Sequence, residues 1–223
     1  AHWAPLTSAI GKTLSIAQKV PFAFISPLNA LARIVMSEDA VPLWNEYLPG
    51  GGIKREGISN TGAEVIFFPS CLNSIFANAG EGLGSQGAFL ALCKRAGIAV
   101  SIPENIADLC CGTPWKSKGL VAGYEAMGSR TISSLLALAI GGDLPVVCDS
   151  TSCTQGLSEL KAAGGERVKF DDVLAFVATQ VVPKLTIKEK IDSITLHPTC
   201  SGTQLGLNDA MTKIASAVAA KVA

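Results

Sequence analysis

Short apolar runs alternate with longer segments of helical spacing along most of the chain. The runs that suit buried strands are EVIFF (64–68), GIAVSI (97–102), LPVVCD (144–149) and SITLH (193–197). The helical patterns between them are SQGAFLALCKRAG (85–97), GLVAGYEAMGSRTISSLLALAIGG (119–142) and DDVLAFVATQVVPKL (171–185), which begins with an acidic cap. This alternation predicts an α/β fold with a parallel, Rossmann-like sheet and flanking helices, in which ligands bind beyond the carboxyl ends of the strands.

The first 60 residues have a different pattern. LTSAIGKTLSIAQKV (6–20) and SPLNALARIVMSEDA (26–40) have helical spacing, with Ser26 as an N-cap and Pro27 at the first helical position. The segment LPGGGIKREGISNTG (48–62) is rich in turn residues and predicts a linker. We therefore predict a helical connector over 1–60 and a main α/β domain over 61–223.

An internal repeat divides the main domain into two similar α/β units. VIFFPSC ends at Cys71 and ITLHPTC ends at Cys200, and each is followed by a helical pattern. The first unit continues to the adjacent pair Cys110 and Cys111, whereas the equivalent pair of the second unit would fall after residue 223. We expect that the chain is a fragment whose second unit is incomplete at its C-terminus.

Composition and charge exclude several classes of function. Hydrophobic residues make up 48% of the chain, and its formal net charge is zero without a basic stripe, so nucleic acid is not an expected partner. No uninterrupted apolar run reaches the roughly 20 residues of a transmembrane segment, and no secretory signal is present. Seven cysteines are too few for a disulfide scaffold of this length and indicate a reducing, cytoplasmic compartment.

Three cysteines recur at one structural position. Cys71, Cys153 and Cys200 each follow an apolar strand and begin a predicted helix. A helix N-terminus lowers the pKa of a thiol and favours the thiolate, which is the form that binds metals. If the strands are parallel neighbours, these sulfurs converge at one edge of the sheet.

The sequence LCCGTPWKSKG (109–119) adds two adjacent sulfurs, Cys110 and Cys111, before a flexible glycine. A single zinc ion rarely takes adjacent residues as two of its four ligands, whereas a cluster of several irons can bind each sulfur separately. The spacing indicates a metal centre at Cys71, Cys110, Cys111 and Cys153. A strained disulfide or a redox dithiol at the cysteine pair is the alternative.

The remaining chemically interesting residues have simpler interpretations. We expect Cys93 in the core, because it lies on the apolar face of a predicted helix. Cys148 ends a predicted strand, and the sequence does not decide whether it is a metal ligand. His197 could bind or tune a metal, although a hydrogen-bonded histidine at a strand end is the simpler interpretation. Asp149 is expected to cap the helix that follows it.

Taken together, FPSC, LCCGTPWKSKG, CDSTSCTQGL and HPTCSGTQLGLNDA resemble the cysteine-rich CCG domain. That domain occurs in a subunit of heterodisulfide reductase, in the iron–sulfur subunit of glycolate oxidase and in FAD-linked D-lactate dehydrogenases of the iron–sulfur type. The likeness is closest to the C-terminal part of the last group and covers about residues 60–223. The family pattern has a lone Cys, then CCG, then CxxC, and here the last element is Cys148-DSTS-Cys153.

The resemblance implies an iron–sulfur cluster, with a non-cubane 4Fe-4S type included, bound by Cys71, Cys110, Cys111 and Cys153. Cys200 would be a metal ligand of the second copy. Some relatives bind zinc in one copy, so zinc is an alternative. The implied protein is the C-terminal fragment of a FAD-linked D-2-hydroxyacid (D-lactate) dehydrogenase, an oxidoreductase in which the cluster transfers electrons from flavin to an acceptor.

The implied partners are the upstream FAD domain of the same polypeptide and an electron acceptor such as quinone. The resemblance places the full-length protein in the cytoplasm, with a peripheral position at the inner face of the membrane left open. The isolated fragment is expected to be inactive. Two alternatives remain, a thiol/disulfide redox module like heterodisulfide reductase and a zinc-binding interaction module.

Overall fold

The computed structural model describes residues 3–38, 41–78, 80–139, 143–160 and 164–223. The helices are α1 (Trp3–Ala17), α2 (Phe22–Met36), α3 (Leu72–Ile75), α4 (Gly84–Arg95), α5 (Thr113–Lys116), α6 (Val121–Leu138), α7 (Thr151–Ser158), α8 (Val173–Phe176), α9 (Cys200–Gln204) and α10 (Asn208–Val218). The strands are β1 (Val65–Phe68), β2 (Val100–Ser101), β3 (Val146–Cys148), β4 (Phe170–Asp172), β5 (Ile191–Ile194) and β6 (Ala219–Val222). The chain forms two compact units, a larger one of Glu56–Ser70 with Leu83–Ala223 and a smaller one of His2–Arg55 with Cys71–Gly82.

The larger unit contains a four-stranded sheet in the order β2-β1-β3-β4, and every pairing in it is parallel. All four residues of β1 are buried, as expected for a central strand covered on both faces. The register places Ile66 of β1 opposite Ser101 of β2 on one side and opposite Val146 of β3 on the other. The predicted α/β fold with a parallel sheet and flanking helices is therefore confirmed.

The helices that cover the sheet meet it through aromatic side chains. The ring of Phe67 in β1 packs at a tilt against Phe89 of α4 with centroids 4.5 Å apart, and the centroids of Phe89 and Phe176 of α8 are 5.9 Å apart. Helix α4 ends close to where the sequence predicts, because Gly97 adopts a left-handed conformation with φ of 68°. This aromatic row fixes α4 and α8 to the same sheet.

Strand β4 was not predicted, because its sequence FDD is short and acidic. Local spacing predicts only that these aspartates cap the helix that follows them. Asp172 has both roles, since it ends β4 and its side chain accepts a hydrogen bond from the N–H of Leu174 in α8. The helical pattern after it continues as a π-helical turn, Val177–Val181, and a 3-10 turn, Val182–Lys184, that contains Pro183.

A second parallel pair, β5 and β6, flanks α9 and α10, and of this pair the sequence predicted only β5. Strand β5 begins two residues earlier than predicted, and β6 lies partly in a segment predicted as helix. Helix α10 ends at Val218 because the next residues pair with β5, with Ala219 opposite Ile191. Pairing with a distant strand thus overrides the local helical spacing.

The smaller unit contains α1, α2 and α3. Gly11 of α1 lies so close to α3 that a Cβ there would come within 2.6 Å of the Ser74 carbonyl oxygen. The predicted start of α2 was wrong: Pro21 is the N-cap and Pro27 lies inside the helix. Pro27 is the sixth residue of α2, past the unpartnered N–H groups of the first turn, so its missing N–H removes one bond of the helical ladder. No helix within the described ranges is long and apolar enough to cross a membrane.

The packing of α6 predicts a stability difference between two leucines. Leu135 is fully buried, whereas Leu120, which precedes the helix, is 56% exposed. We expect Leu135→Ala to lower the free energy of unfolding by about 2–5 kcal/mol, because it leaves a cavity. Leu120→Ala should change it by less than about 0.5 kcal/mol. Urea denaturation followed by circular dichroism measures both, and equal effects would contradict the described core.

Candidate functional site

Four cysteine side chains of the larger unit meet at the carboxyl edge of its sheet. Cys148 is the last residue of β3, Cys153 lies in the first turn of α7, and Cys110 and Cys111 belong to the loop after β2. The thiols of Cys110 and Cys153 are within hydrogen-bonding reach of Cys111, and Cys148 is within reach of Cys153. All four residues are less than a tenth exposed. We call these four residues the thiol cluster.

Cys111 is the member of the thiol cluster whose pKa is lowered. Hydrogen bonds from the Cys110 and Cys153 thiols, with smaller contributions from the side chain and backbone of Thr113, lower the pKa of Cys111 from 9.0 to about 3. The Thr113 hydroxyl oxygen lies 3.3 Å from the Cys111 sulfur. The same contact raises the pKa of Cys153, because its proton is held between Cys111 and Cys148. The shared contact therefore favours the thiolate at Cys111 and the protonated thiol at Cys153.

Cys93 shows that burial alone has the opposite effect. It is fully buried in α4, and burial raises its pKa from 9.0 to about 11. No hydrogen bond to Cys93 opposes this effect among the causes of the shift. Cys93 is thus a core thiol, as predicted, and the thiolate at Cys111 depends on its donors.

The loop that carries Cys110 and Cys111 is held by its neighbours. The buried Thr131 hydroxyl donates a 2.9 Å hydrogen bond to the Cys110 carbonyl oxygen. Gly112 has φ of 87°, and a Cβ there would lie 2.7 Å from the Tyr124 ring. The glycine after the cysteine pair is therefore required both by the backbone conformation and by the space available.

Contacts to α7 hold the other side of this loop. The Thr113 hydroxyl lies 3.5 Å from the Ser152 carbonyl oxygen, and Gly156 leaves the space that Thr113 occupies. Lys116 forms a 2.6 Å ion pair with Glu159 at the surface. The sequence did not predict the roles of Thr113 and Thr131, because neither threonine forms a recognisable pattern with the cysteines.

Asp149 links two parts of the sheet edge and does not cap α7. Its carboxylate accepts hydrogen bonds from the Ser70 N–H at 2.7 Å and from the Ser85 hydroxyl at 3.0 Å. The N-cap of α7 is Ser150. Asp149 therefore ties the end of β3 to the chain leaving β1 and to the start of α4. Its place directly after a buried strand is the sequence signal for such a role.

The other predicted site residues are Cys71, Cys200 and His197. Cys71 is the next residue after Ser70, is 6% exposed, and is the N-cap of α3 in the smaller unit. Cys200 is exposed and begins α9, which lies beside α7 through a 2.7 Å contact between the Thr151 and Ser201 hydroxyls. His197 is exposed as well.

A cleft of about 280 Å³ lies at the carboxyl ends of β3 and β4. Its lining includes Asp149, Asp172, His197, Thr199 and Asn208. Burial raises the pKa of Asp172, although its carboxylate accepts hydrogen bonds from the Leu174 N–H and the Thr154 hydroxyl. The edge of the sheet thus offers polar groups as well as sulfur.

The Cys111 thiolate can be detected without a reagent entering the site. We expect the ultraviolet absorption band of a thiolate to persist when the pH is lowered from neutrality to about 5, where an ordinary thiol is protonated. Cys111→Ala should remove this band. Cys93→Ala should leave it unchanged, because a thiol whose pKa is raised to about 11 is neutral throughout this range. A band that disappears below about pH 8 in the native chain would contradict the assignment.

Two glycines of the same loop form a matched pair for testing its packing. Gly112 and Gly119 both have positive φ, at 87° and 68°, but a Cβ would contact Tyr124 only at Gly112. We expect Gly119→Ala to cost about 1 kcal/mol of unfolding free energy and Gly112→Ala about 2–4 kcal/mol. Gly112→Ala should also weaken the thiolate band, and an unchanged band with equal stabilities would refute the described packing.

The described residues contain no group of three or more His, Cys, Asp or Glu side chains arranged to hold a metal ion. All seven cysteines are free thiols, so the alternative of a disulfide at the cysteine pair is not seen. Comparison with protein-family models, curated proteins and solved structures finds no match for this chain. The thiol cluster and its hydrogen bonds are therefore the observations on which a function can be based.

Proposed function

We propose that this chain is the C-terminal, electron-transferring part of a FAD-linked D-2-hydroxyacid dehydrogenase acting on D-lactate, and that its cysteines hold an iron–sulfur cluster. The observation that carries the proposal is the convergence of four sulfurs around the Cys111 thiolate. When bound, such a cluster supplies one-electron transfer between the flavin of an upstream domain and an acceptor such as quinone.

No three side chains of the described residues are arranged to hold a single ion, whereas the pairwise contacts among the four sulfurs suit a cluster of several metals. Cys110 and Cys111 are adjacent, and their side chains cannot easily occupy two corners of one tetrahedron. The irons of a cluster are spread in space, so each can take a separate sulfur. Cys110, Cys111, Cys148 and Cys153 would be the ligands from the larger unit, while Cys71 and Cys200 stay predicted ligands.

The surroundings of the thiol cluster suit a redox role. Hydrogen bonds to ligand sulfur and burial are two of the means by which a protein sets a cluster's potential. The Thr113 backbone N–H supplies such a bond to Cys111, whose sulfur also lies 3.3 Å from the Thr113 hydroxyl oxygen. The four cysteines are shielded from water. Thr131 fixes the Cys110 backbone, so the loop does not have to be ordered when a cluster binds.

Thiol–disulfide exchange is the second candidate, and the thiolate at Cys111 favours it. A thiolate attacks a disulfide, and a second thiol then resolves the mixed disulfide. Cys153 is placed to resolve it, but its raised pKa keeps that thiol protonated and slows this step. A metal centre stabilises each thiolate that contacts it and so offsets the raised pKa of Cys153, whereas thiol–disulfide exchange has no such compensation, and we prefer the electron-transfer proposal for that reason.

Anaerobic reconstitution with iron and sulfide tests the proposal. We expect the native chain to gain the visible absorption of an iron–sulfur cluster and, after reduction or oxidation, an electron paramagnetic resonance signal. Cys111→Ala should lower the iron content by about tenfold or more, because it removes the thiolate. Cys93→Ala is the matched control and should retain the cluster, since that thiol lies in the core.

The contrary results separate the alternatives. A colourless protein that binds zinc stoichiometrically after the same treatment would reject the cluster and favour a zinc-binding module. Reduction of a small disulfide by the metal-free chain, lost in Cys111→Ala, would favour thiol–disulfide exchange. Cys71→Ala and Cys200→Ala, treated alike, decide whether those residues are ligands.

A further inference from the structure

Helix α2 turns its polar side chains toward its own unit. Asn29 donates a 3.0 Å hydrogen bond to the Pro42 carbonyl oxygen and accepts one of 2.9 Å from the Trp44 N–H. Arg33 donates a 2.6 Å bond to the Val41 carbonyl oxygen and forms a 3.4 Å ion pair with Glu38. The face of α2 that packs on residues 41–44 is therefore the hydrophilic one.

The opposite face of α2 is apolar and exposed. No residue of this helix is buried, and Phe24, Leu28, Leu31 and Val35 are 67%, 68%, 58% and 75% exposed. Ile34, next to them, is 82% exposed. We call Phe24, Leu28, Leu31 and Val35 the α2 stripe. An amphipathic helix of a folded domain normally has the reverse orientation, so this face is suited to a partner.

The spacing of the α2 stripe indicates another helix as the partner. Its members are separated by four, three and four residues, which is the spacing of the apolar seam between helices that pack side by side. The positions beside the seam are Ile25, Pro27, Ala32 and Ile34, and none is charged. Two copies of this face can therefore approach each other without like-charge repulsion.

A second copy of the chain fits this face better than a lipid surface does. An interfacial helix carries Lys or Arg beside its apolar face, where they meet the headgroups. The only charged residue of α2 is Arg33, which is engaged on the opposite side by Glu38 and Val41. The chain has zero net charge, so copies do not repel each other at long range and anionic lipid is not attracted.

We propose that the α2 stripe is a self-association surface, through which two copies of the chain pack α2 against α2 about a twofold axis. Helix α2 has 15 residues and is about 22 Å long, so the seam covers only about two heptads. We therefore expect a reversible dimer with a micromolar dissociation constant. Twofold pairing closes the interface and leaves no further copy of the stripe exposed.

Sedimentation equilibrium over a range of concentrations tests this proposal on the full chain. We expect the native chain to dimerise, and Leu28→Glu to weaken association by about tenfold or more, because it places a charge in the seam. Leu83→Glu is the matched control, since Leu83 lies outside α2 and is 67% exposed against 68% for Leu28. Equal weakening by both variants, or a monomer at every concentration, would overturn the proposal.

Cross-linking gives a result that does not depend on a destabilising charge. In a Cys200→Ser background, which removes the exposed native thiol, Leu31→Cys should form a disulfide-linked dimer under mild oxidation and Leu83→Cys should not. Circular dichroism checks that each variant is folded. If the native chain instead sediments with lipid vesicles and Leu28→Glu does not, the partner is a membrane and the proposal is wrong.

Discussion

The parallel alignment of β1 with β2 and β3 is the constraint on which the thiol cluster depends. The segments that follow parallel strands all begin at the same edge of the sheet. The register places Phe68 of β1 opposite Cys148 of β3. The loop after β2 brings Cys110 and Cys111 to that edge, while α7 brings Cys153. Asp149 adds a fixed link there, since its carboxylate joins β3 to Ser70 and Ser85. Cysteines far apart in sequence become neighbours only through this register.

The central strands could be predicted because both of their faces are buried, which makes β1 and β3 continuous apolar runs. Strands β4 and β6 could not, because FDD and AAKV have no such run and exist through their pairing with distant residues. The start of α2 was misplaced for a related reason. Ser26 and Pro27 form a common local start signal, but the anchoring of Asn29 and Arg33 by residues 41–44 is not visible in local spacing.

The sequence predicted that Cys110, Cys111 and Cys153 lie close together, but it did not predict the chemical states of these thiols. Cys93 and Cys111 are both buried, and their pKa values shift in opposite directions. The difference comes from hydrogen bonds donated by Cys110, Cys153 and Thr113, and such contacts exist only once the loop and α7 have packed together. Cys148, which the sequence left open, lies within reach of Cys153. Spacing can thus indicate which sulfurs meet, whereas burial and donors decide which one is charged.

The charge of the thiol cluster also limits what can bind there. The negative charge of Cys111 raises the pKa of Cys153, so a second proton is hard to remove while the site holds sulfur alone. A cation placed among the sulfurs would reverse this balance, because it stabilises each additional thiolate that contacts it. Binding of a metal centre would therefore release protons and depend on pH. A neutral ligand cannot offset the negative charge of Cys111, so the proposed metal centre would have to supply the positive charge that lowers the pKa of Cys153.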